Sequence, residues 1–167
     1  GKRRAPKGEC HLTHADICEH ASGLLAVADA GSPEGLQSWL ATLREVFDDD
    51  RLSLGVSRLY HQDDDERLQR LGNAAADAGV ALVATNDVVY ATPDRRALLD
   101  VLTCVRLGMT VEQAGTLLGV NAERYMKPPV EMARLFASMP GAVERSVRVA
   151  RRATFSLDEL RYEYPRE

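Results

Sequence analysis

Apolar and polar residues recur along the first half of the chain in a pattern that predicts helices and strands in alternation. Thr13 precedes a short helix over 14–21, and the apolar run over 24–27 predicts a buried strand. Ser32-Pro33-Glu34 is a typical helix start, because proline is favoured at the first helical position. The helix that follows is expected to bury one face, made of Leu36, Trp39, Leu40, Leu43 and Phe47.

The next segments repeat the same order of strand, helix and strand. Leu52, Leu54 and Val56 alternate with small residues, which predicts a strand over 52–60 that His61 closes. Asp63-Asp64-Asp65 then opens a helix with Leu68, Leu71, Ala75 and Ala78 on its buried face, and Ala81–Ala84 predicts another strand. Strands joined by single helices favour a parallel sheet, so the predicted class is α/β with about three parallel strands.

After residue 92 the pattern predicts helices alone. Helix 93–107 is expected to bury Leu98, Val101, Leu102 and Val105, and Thr110 begins a short helix. Pro128-Pro129 opens a helix with Met132, Leu135, Phe136 and Met139 at core spacing, and Pro140-Gly141 separates it from a last helix over 142–152. We therefore predict a basic arm or tag remnant over 1–11, an α/β layer over 12–92 and a helical extension over 93–167.

Composition narrows the function only slightly. The chain has 25 acidic and 21 basic residues, so its net charge of −4 gives no nucleic-acid signature over the whole chain. Without a membrane-length apolar run or a signal-peptide pattern, the sequence predicts a cytoplasmic protein. Three cysteines without CxxC spacing favour reduced thiols. The alternative is a zinc site formed by Cys10, His11, His14 and Cys18.

Four segments of the chain resemble the bacterial C-family DNA polymerases. These segments are Ala84–Val88, Arg95–Cys104, Asn121–Met132 and Phe155–Pro165. The amino-acid sequences of these segments are most similar to the error-prone paralogue of the DNA polymerase III alpha subunit. The resemblance covers nearly the whole chain and is strongest over 81–165.

The resemblance implies a place within a larger polymerase. It assigns the chain to the later part of a PHP domain, a distorted β/α barrel that can hold metal ions at the carboxyl ends of its strands, followed by helices that lead toward the palm. The family's opening His-x-His motif is absent here, and the palm with its catalytic aspartates would follow the last residue, Glu167. We therefore expect the magnesium-dependent polymerase reaction from the parent protein and no polymerase active site in these 167 residues.

The resemblance also marks Asp87 as a candidate metal ligand. The last PHP metal motif is Asp-x-His after a strand; Asp87 matches its first position, but Val89 stands where the histidine would be. Because valine cannot coordinate a metal, we interpret the site as degenerate and do not expect zinc or manganese. His61 is a second candidate ligand at the same end of the sheet. The alternative for Asp87 is a carboxylate that accepts backbone N–H bonds or caps the loop before helix 93–107.

Four arginines on the last helix are candidate DNA contacts: Arg145, Arg148, Arg151 and Arg152. Their guanidinium groups suit bidentate bonding to phosphates. The alternatives are an ordinary solvated helix face or packing against a neighbouring domain.

The leading hypothesis is a structural fragment of an error-prone DNA polymerase that is inactive in isolation. Its expected partners are the rest of the polymerase chain, DNA through the parent protein, and other replication or repair subunits. A partial barrel exposes a sheet edge, so a dimer of the isolated piece is also expected. The alternatives are a metal-dependent PHP phosphoesterase or proofreading nuclease, and a non-catalytic interaction module.

Overall fold

The computed structural model describes residues 4–31 and 35–160 as helices and strands in alternation, followed by helices. The first half contains α1 (His14–His20), β1 (Ala26–Asp29), α2 (Leu36–Val46), β2 (Leu52–Val56), α3 (Asp64–Asp77) and β3 (Ala81–Ala84). The second half contains α4 (Arg96–Leu107), α5 (Val111–Ala114), α6 (Pro129–Leu135) and α7 (Pro140–Arg152). Short 3₁₀ turns lie at Pro93–Arg95, Gly115–Leu117 and Leu157–Glu159.

The three strands form a parallel sheet in the order β1-β2-β3. Ala26 pairs with Leu52, and Ser53 pairs with Ala81, so all three strands run toward the same edge of the sheet. This arrangement confirms the predicted α/β class and the three parallel strands. Helices supply the crossovers between strands, as parallel pairing requires.

The core lies between the sheet and the helices that pack on it. Its largest fully buried side chains include Leu40 of α2, Leu54 and Val56 of β2, and Phe136 after α6. α7 packs against β3, and α2 and α3 pack against each other. The predicted core positions of Met132, Leu135, Phe136 and Met139 are confirmed, because all four residues belong to or pack against this core. The predicted single helix is too long, since α6 ends at Leu135 and Met139 caps the start of α7.

Capping signals place two helices correctly. Thr13 and Asp16 form a capping box at the start of α1, and Thr110 and Gln113 form another at the start of α5. In both boxes the side chains accept backbone N–H bonds that the first helical turn leaves unpaired. These local hydrogen bonds explain why the two starts are readable from sequence.

The prediction that α4 buries its apolar face is wrong. Leu98, Val101, Leu102 and Val105 are all about half exposed or more, whereas Cys104 is buried. The 3.6-residue spacing identified an apolar stripe correctly, but spacing does not reveal whether the same chain covers it.

Several other boundaries also differ from the prediction. β1 begins at Ala26 and leaves Leu24 exposed, and β2 ends at Val56 rather than at residue 60. Trp39 is 42% exposed, at the edge of the face that α2 buries. Pro140 begins α7 instead of separating two helices, since proline fits the first helical position.

Some predicted features lie outside the described residues. They are the start of the basic arm at 1–3, the helix start at 32–34 and the end of the tail at 161–167. Among the helices in the described part of the chain, none is long and apolar enough to cross a membrane.

Candidate functional site

The carboxyl ends of the three strands open into a cleft of about 1030 Å³. Asp29 ends β1, and His61 and Asp87 follow β2 and β3; all three residues line this cleft. Ligands of α/β proteins bind at this edge of a parallel sheet. The structure therefore places Asp87 and His61 at the common edge that the sequence predicts.

Asp87 is held in an unusual backbone conformation and in an ion pair. Its φ angle is +44°, in the left-handed region that aspartate tolerates better than most residues. Its carboxylate lies 2.8 Å from the guanidinium of Arg124, and Arg124 Nε donates to the Asp87 carbonyl at 3.0 Å. The partner of Asp87 is thus an arginine side chain, rather than the backbone N–H groups considered as the alternative.

Val89 takes part in the same contact through its backbone. Its N–H donates to the Arg124 carbonyl at 2.9 Å, and Tyr90 forms a parallel bridge with Tyr125. The segment after β3 therefore pairs with the segment before α6 over a few residues. The Val89 side chain is 40% exposed.

Asn86 connects these two segments through buried hydrogen bonds. It is 7% exposed, and its amide nitrogen donates to the carbonyls of Glu123, at 3.1 Å, and Tyr125. Sequence reasoning gave Asn86 no role of its own. The signal was present, because a polar residue directly after a buried strand needs a hydrogen-bond partner.

Lys127 and Tyr125 complete the contact between the segments. The Lys127 side chain is fully buried, with its ammonium 4.0 Å from the centre of the Tyr125 ring and 3.1 Å from the Glu123 carboxylate. The Tyr125 hydroxyl donates to Glu131 at 2.6 Å, and this hydrogen bond raises the pKa of Tyr125 to about 12. Its burial leaves the Lys127 ammonium without access to a ligand in solvent.

A metal centre needs several donor atoms that converge on one point, and the fit of the described residues to such a centre is poor. Across 4–31 and 35–160, no three side chains of the metal-binding types lie close enough to hold an ion. Asp87 points its carboxylate at Arg124, and His61 is exposed. Cys18 Sγ does lie 3.6 Å from His14 Nδ1 on one face of α1, but these two groups alone do not make a zinc site.

The four arginines of α7 do not form one exposed surface. Arg145 is 3% exposed; its guanidinium donates to Ser53 at 2.9 Å, to the Asp50 carboxylate at 2.5 Å and to the Leu52 carbonyl. The expectation that Arg145 faces solvent with the other arginines is wrong, because its bonds to the start of β2 occupy its donors. Arg148 and Arg151 are exposed.

Asp50 connects Arg145 to Arg152. The hydrogen bond from Arg145 lowers the pKa of Asp50, and Arg152 donates to the Asp50 carbonyl at 2.6 Å. Arg152 therefore has a structural partner as well. Of the four arginines, Arg148 and Arg151 are the two that are exposed.

The fold and the strand-end cleft define an α/β unit with a helical extension, and comparison with known proteins identifies its relatives. No protein-family profile matches the chain. The chain is 43% identical over 168 residues to error-prone DNA polymerase 1 of Agrobacterium fabrum and 43% identical over 173 residues to error-prone DNA polymerase of Caulobacter vibrioides. It is 44% identical over 170 residues to error-prone DNA polymerase of Brucella abortus.

These matches cover 100% of this chain and 15% to 16% of each relative. The chain is thus homologous, along its whole length, to a segment of the bacterial error-prone DNA polymerases. The resemblance to error-prone DNA polymerases is confirmed, and the assignment to a PHP domain stays a prediction.

Proposed function

We propose that the chain serves as a structural segment of an error-prone DNA polymerase and performs no reaction by itself. The parent polymerase adds nucleotides opposite a template during damage-tolerant synthesis, with magnesium held outside these residues. Homology over the whole chain to enzymes of that name supports the assignment. A polymerase acts on DNA in the cytoplasm of a bacterium, so this is also the proposed location.

The observation that carries the structural role is the Asp87–Arg124 ion pair. The one PHP-type ligand position that the sequence retains is engaged with a neighbouring loop, and no cluster of three metal-binding side chains forms among the described residues. A phosphoesterase of the PHP type requires such a cluster to activate water. We therefore favour a degenerate metal site in which the Asp87 carboxylate is paired with Arg124 instead of a metal ion.

A phosphodiesterase assay separates this proposal from the enzymatic alternative. The isolated chain is incubated with single-stranded DNA and with bis-p-nitrophenyl phosphate in the presence of Mn²⁺ or Zn²⁺. We expect no hydrolysis above the buffer rate for the unaltered chain and for Asp87→Ala. Metal-dependent hydrolysis that Asp87→Ala abolishes would establish the phosphoesterase and overturn the structural role.

The exposed pair Arg148 and Arg151 supports a second, smaller proposal: contact with DNA phosphates in the parent polymerase. Both side chains lie on the solvent side of α7, unlike Arg145. Within residues 4–31 and 35–160, the ion pairs of α7 are formed by Arg145 and Arg152, both with Asp50. Other replication or repair subunits remain proposed partners of the parent protein.

A further inference from the structure

Helix α4 presents its apolar side away from the rest of the described chain. Leu98, Val101, Leu102 and Val105 are 53%, 48%, 57% and 73% exposed. Their i, i+3, i+4, i+7 spacing places them in a single stripe along the helix. We refer to these four residues as the α4 stripe. A continuous stripe differs from the scattered exposed leucines that are normal on protein surfaces.

The opposite side of α4 faces the protein and carries polar residues together with the buried Cys104. Arg96 lies 3.5 Å from Asp100 in an ion pair and also donates to the carbonyl of Gly119. Arg96, Asp100 and Thr103 line a small cleft with the segment over 117–124. The helix is therefore anchored by polar contacts in an orientation that leaves its apolar side uncovered.

Hydrophobic burial alone would favour the reverse orientation. Burial of leucine and valine side chains stabilises a protein, and four side chains that are about half exposed or more leave much of that stabilisation unrealised. An amphipathic helix that turns its apolar side away from its own chain is expected where a second surface covers that side. The stripe therefore indicates an interface.

We propose that the α4 stripe docks the remainder of the polymerase chain, which lies outside these 167 residues. This inference rests on the proposed function. The chain spans only 15% to 16% of its relatives, so a protein of their length has ample further chain to cover the stripe. The covering surface is apolar, with carboxylates at its margin that face the exposed Arg95 and Arg106.

The same two arginines disfavour a second copy of this chain as the occupant. Arg95 ends the 3₁₀ turn directly before α4 and Arg106 lies in the last turn of α4, so the two arginines mark opposite ends of the helix. Antiparallel pairing of two α4 helices would bring Arg95 of each copy beside Arg106 of the other. Like charges that face each other across an interface oppose association.

A chimeric polymerase tests the proposal. The 167 residues replace the segment that they match in the Agrobacterium fabrum enzyme, and hydrogen exchange of α4 is measured in the chimera and in the isolated chain. We expect α4 amides to exchange at least about tenfold more slowly in the chimera, because docking suppresses local opening. Equal exchange in the two proteins would overturn the proposal.

Substitutions within the stripe supply the second readout. Leu98→Lys with Leu102→Lys is expected to remove the α4 protection in the chimera and to leave the isolated chain unchanged, and the milder Leu102→Ser is expected to reduce that protection. Val130→Lys is the matched control, since Val130 is 83% exposed on α6. Loss of protection with the control substitution to the same extent would contradict a specific role of the stripe.

Two further outcomes are diagnostic. An isolated chain that is dimeric by light scattering, and that Leu98→Lys with Leu102→Lys makes monomeric, would identify a second copy as the occupant and overturn the proposal. A chimera that protects α4 but does not extend a primer contradicts the proposed function alone. Docking and polymerase function are thereby tested separately.

Discussion

Arg145 illustrates how a single buried cation ties the helical extension to the sheet. Its guanidinium reaches from α7 to Ser53 in β2 and to Asp50 in the preceding turn. Ser53 is 1% exposed, so its hydroxyl has no access to water once the arginine is removed. The Arg145 side chain therefore contributes to the stability of the fold, which a count of basic residues on the helix does not reveal.

Replacing Arg145 is expected to destabilise the fold. Arg145→Met keeps most of the volume of the side chain but removes the hydrogen bonds to Ser53 and Asp50, which we expect to lower the free energy of unfolding by about 2–3 kcal/mol. Arg148→Met, on the exposed side of the same helix, is expected to change it by less than about 0.5 kcal/mol. Urea unfolding of both variants checks this, and equal effects would contradict the assigned role of Arg145.

Asp64 makes stability depend on pH. It is buried, which raises its pKa, but hydrogen bonds from Arg67 and from the backbone N–H groups of Leu59 and His61 outweigh burial and lower it. A carboxyl group with a depressed pKa stabilises the fold above its unfolded pKa, near 3.9, and this contribution is lost as the pH falls through the folded value.

We therefore expect the free energy of unfolding to decrease between pH 6 and pH 3, and to decrease less in the Asp64→Asn variant. Urea unfolding at several pH values measures the slope. A variant with the same acid dependence as the unaltered chain would show that other carboxylates, such as Asp50, account for it. Asp64→Asn should also lower stability at pH 6, where the lost charge weakens the bonds to the loop after β2.

At the scale of elements, the contact between the segment after β3 and the segment before α6 defines the strand-end region. The buried Asn86 side chain donates hydrogen bonds to two backbone carbonyls, while Asp87 forms an ion pair with Arg124 at the surface. The surface pair is exposed and contributes little to stability, whereas the buried amide leaves two carbonyls unpaired when it is removed.

Substitution of Asn86 is therefore expected to loosen this contact. Asn86→Ala should lower the free energy of unfolding by about 1–3 kcal/mol and speed hydrogen exchange at the Val89 amide, which bonds to Arg124. Val88→Ala is the control, because the Val88 side chain is 46% exposed. Unchanged exchange at Val89 in Asn86→Ala would contradict the view that Asn86 holds the two segments together.

The elements also show which parts of the fold are readable from sequence. Apolar runs and capping residues identify β3, α1 and α5, because strand burial and capping depend on neighbouring residues. The orientation of α4 is not readable, because it depends on Arg96 contacting Gly119, a residue distant along the chain. Asp87 and His61 are predictable at the strand-end cleft; the Arg124 partner of Asp87 is not.

At the scale of the whole molecule, the exposed arginines of α7 predict salt-dependent contact with DNA by the parent polymerase. We expect the double variant Arg148→Glu with Arg151→Glu, placed in the chimera, to weaken binding of single-stranded DNA and to reduce the slope of log affinity against log salt. Fluorescence anisotropy at several salt concentrations measures both. An unchanged slope would assign these arginines to an ordinary solvated surface.

Primer extension by the chimera tests most directly whether the chain serves as a structural segment of an error-prone DNA polymerase. With magnesium and a primed template, the chimera is predicted to extend the primer at a rate within about tenfold of the Agrobacterium fabrum enzyme, while the isolated chain extends none; tenfold corresponds to about 1.4 kcal/mol in the barrier. A chimera that has the same circular dichroism spectrum and melting temperature as the Agrobacterium fabrum enzyme, yet extends no primer, would contradict this role of the chain.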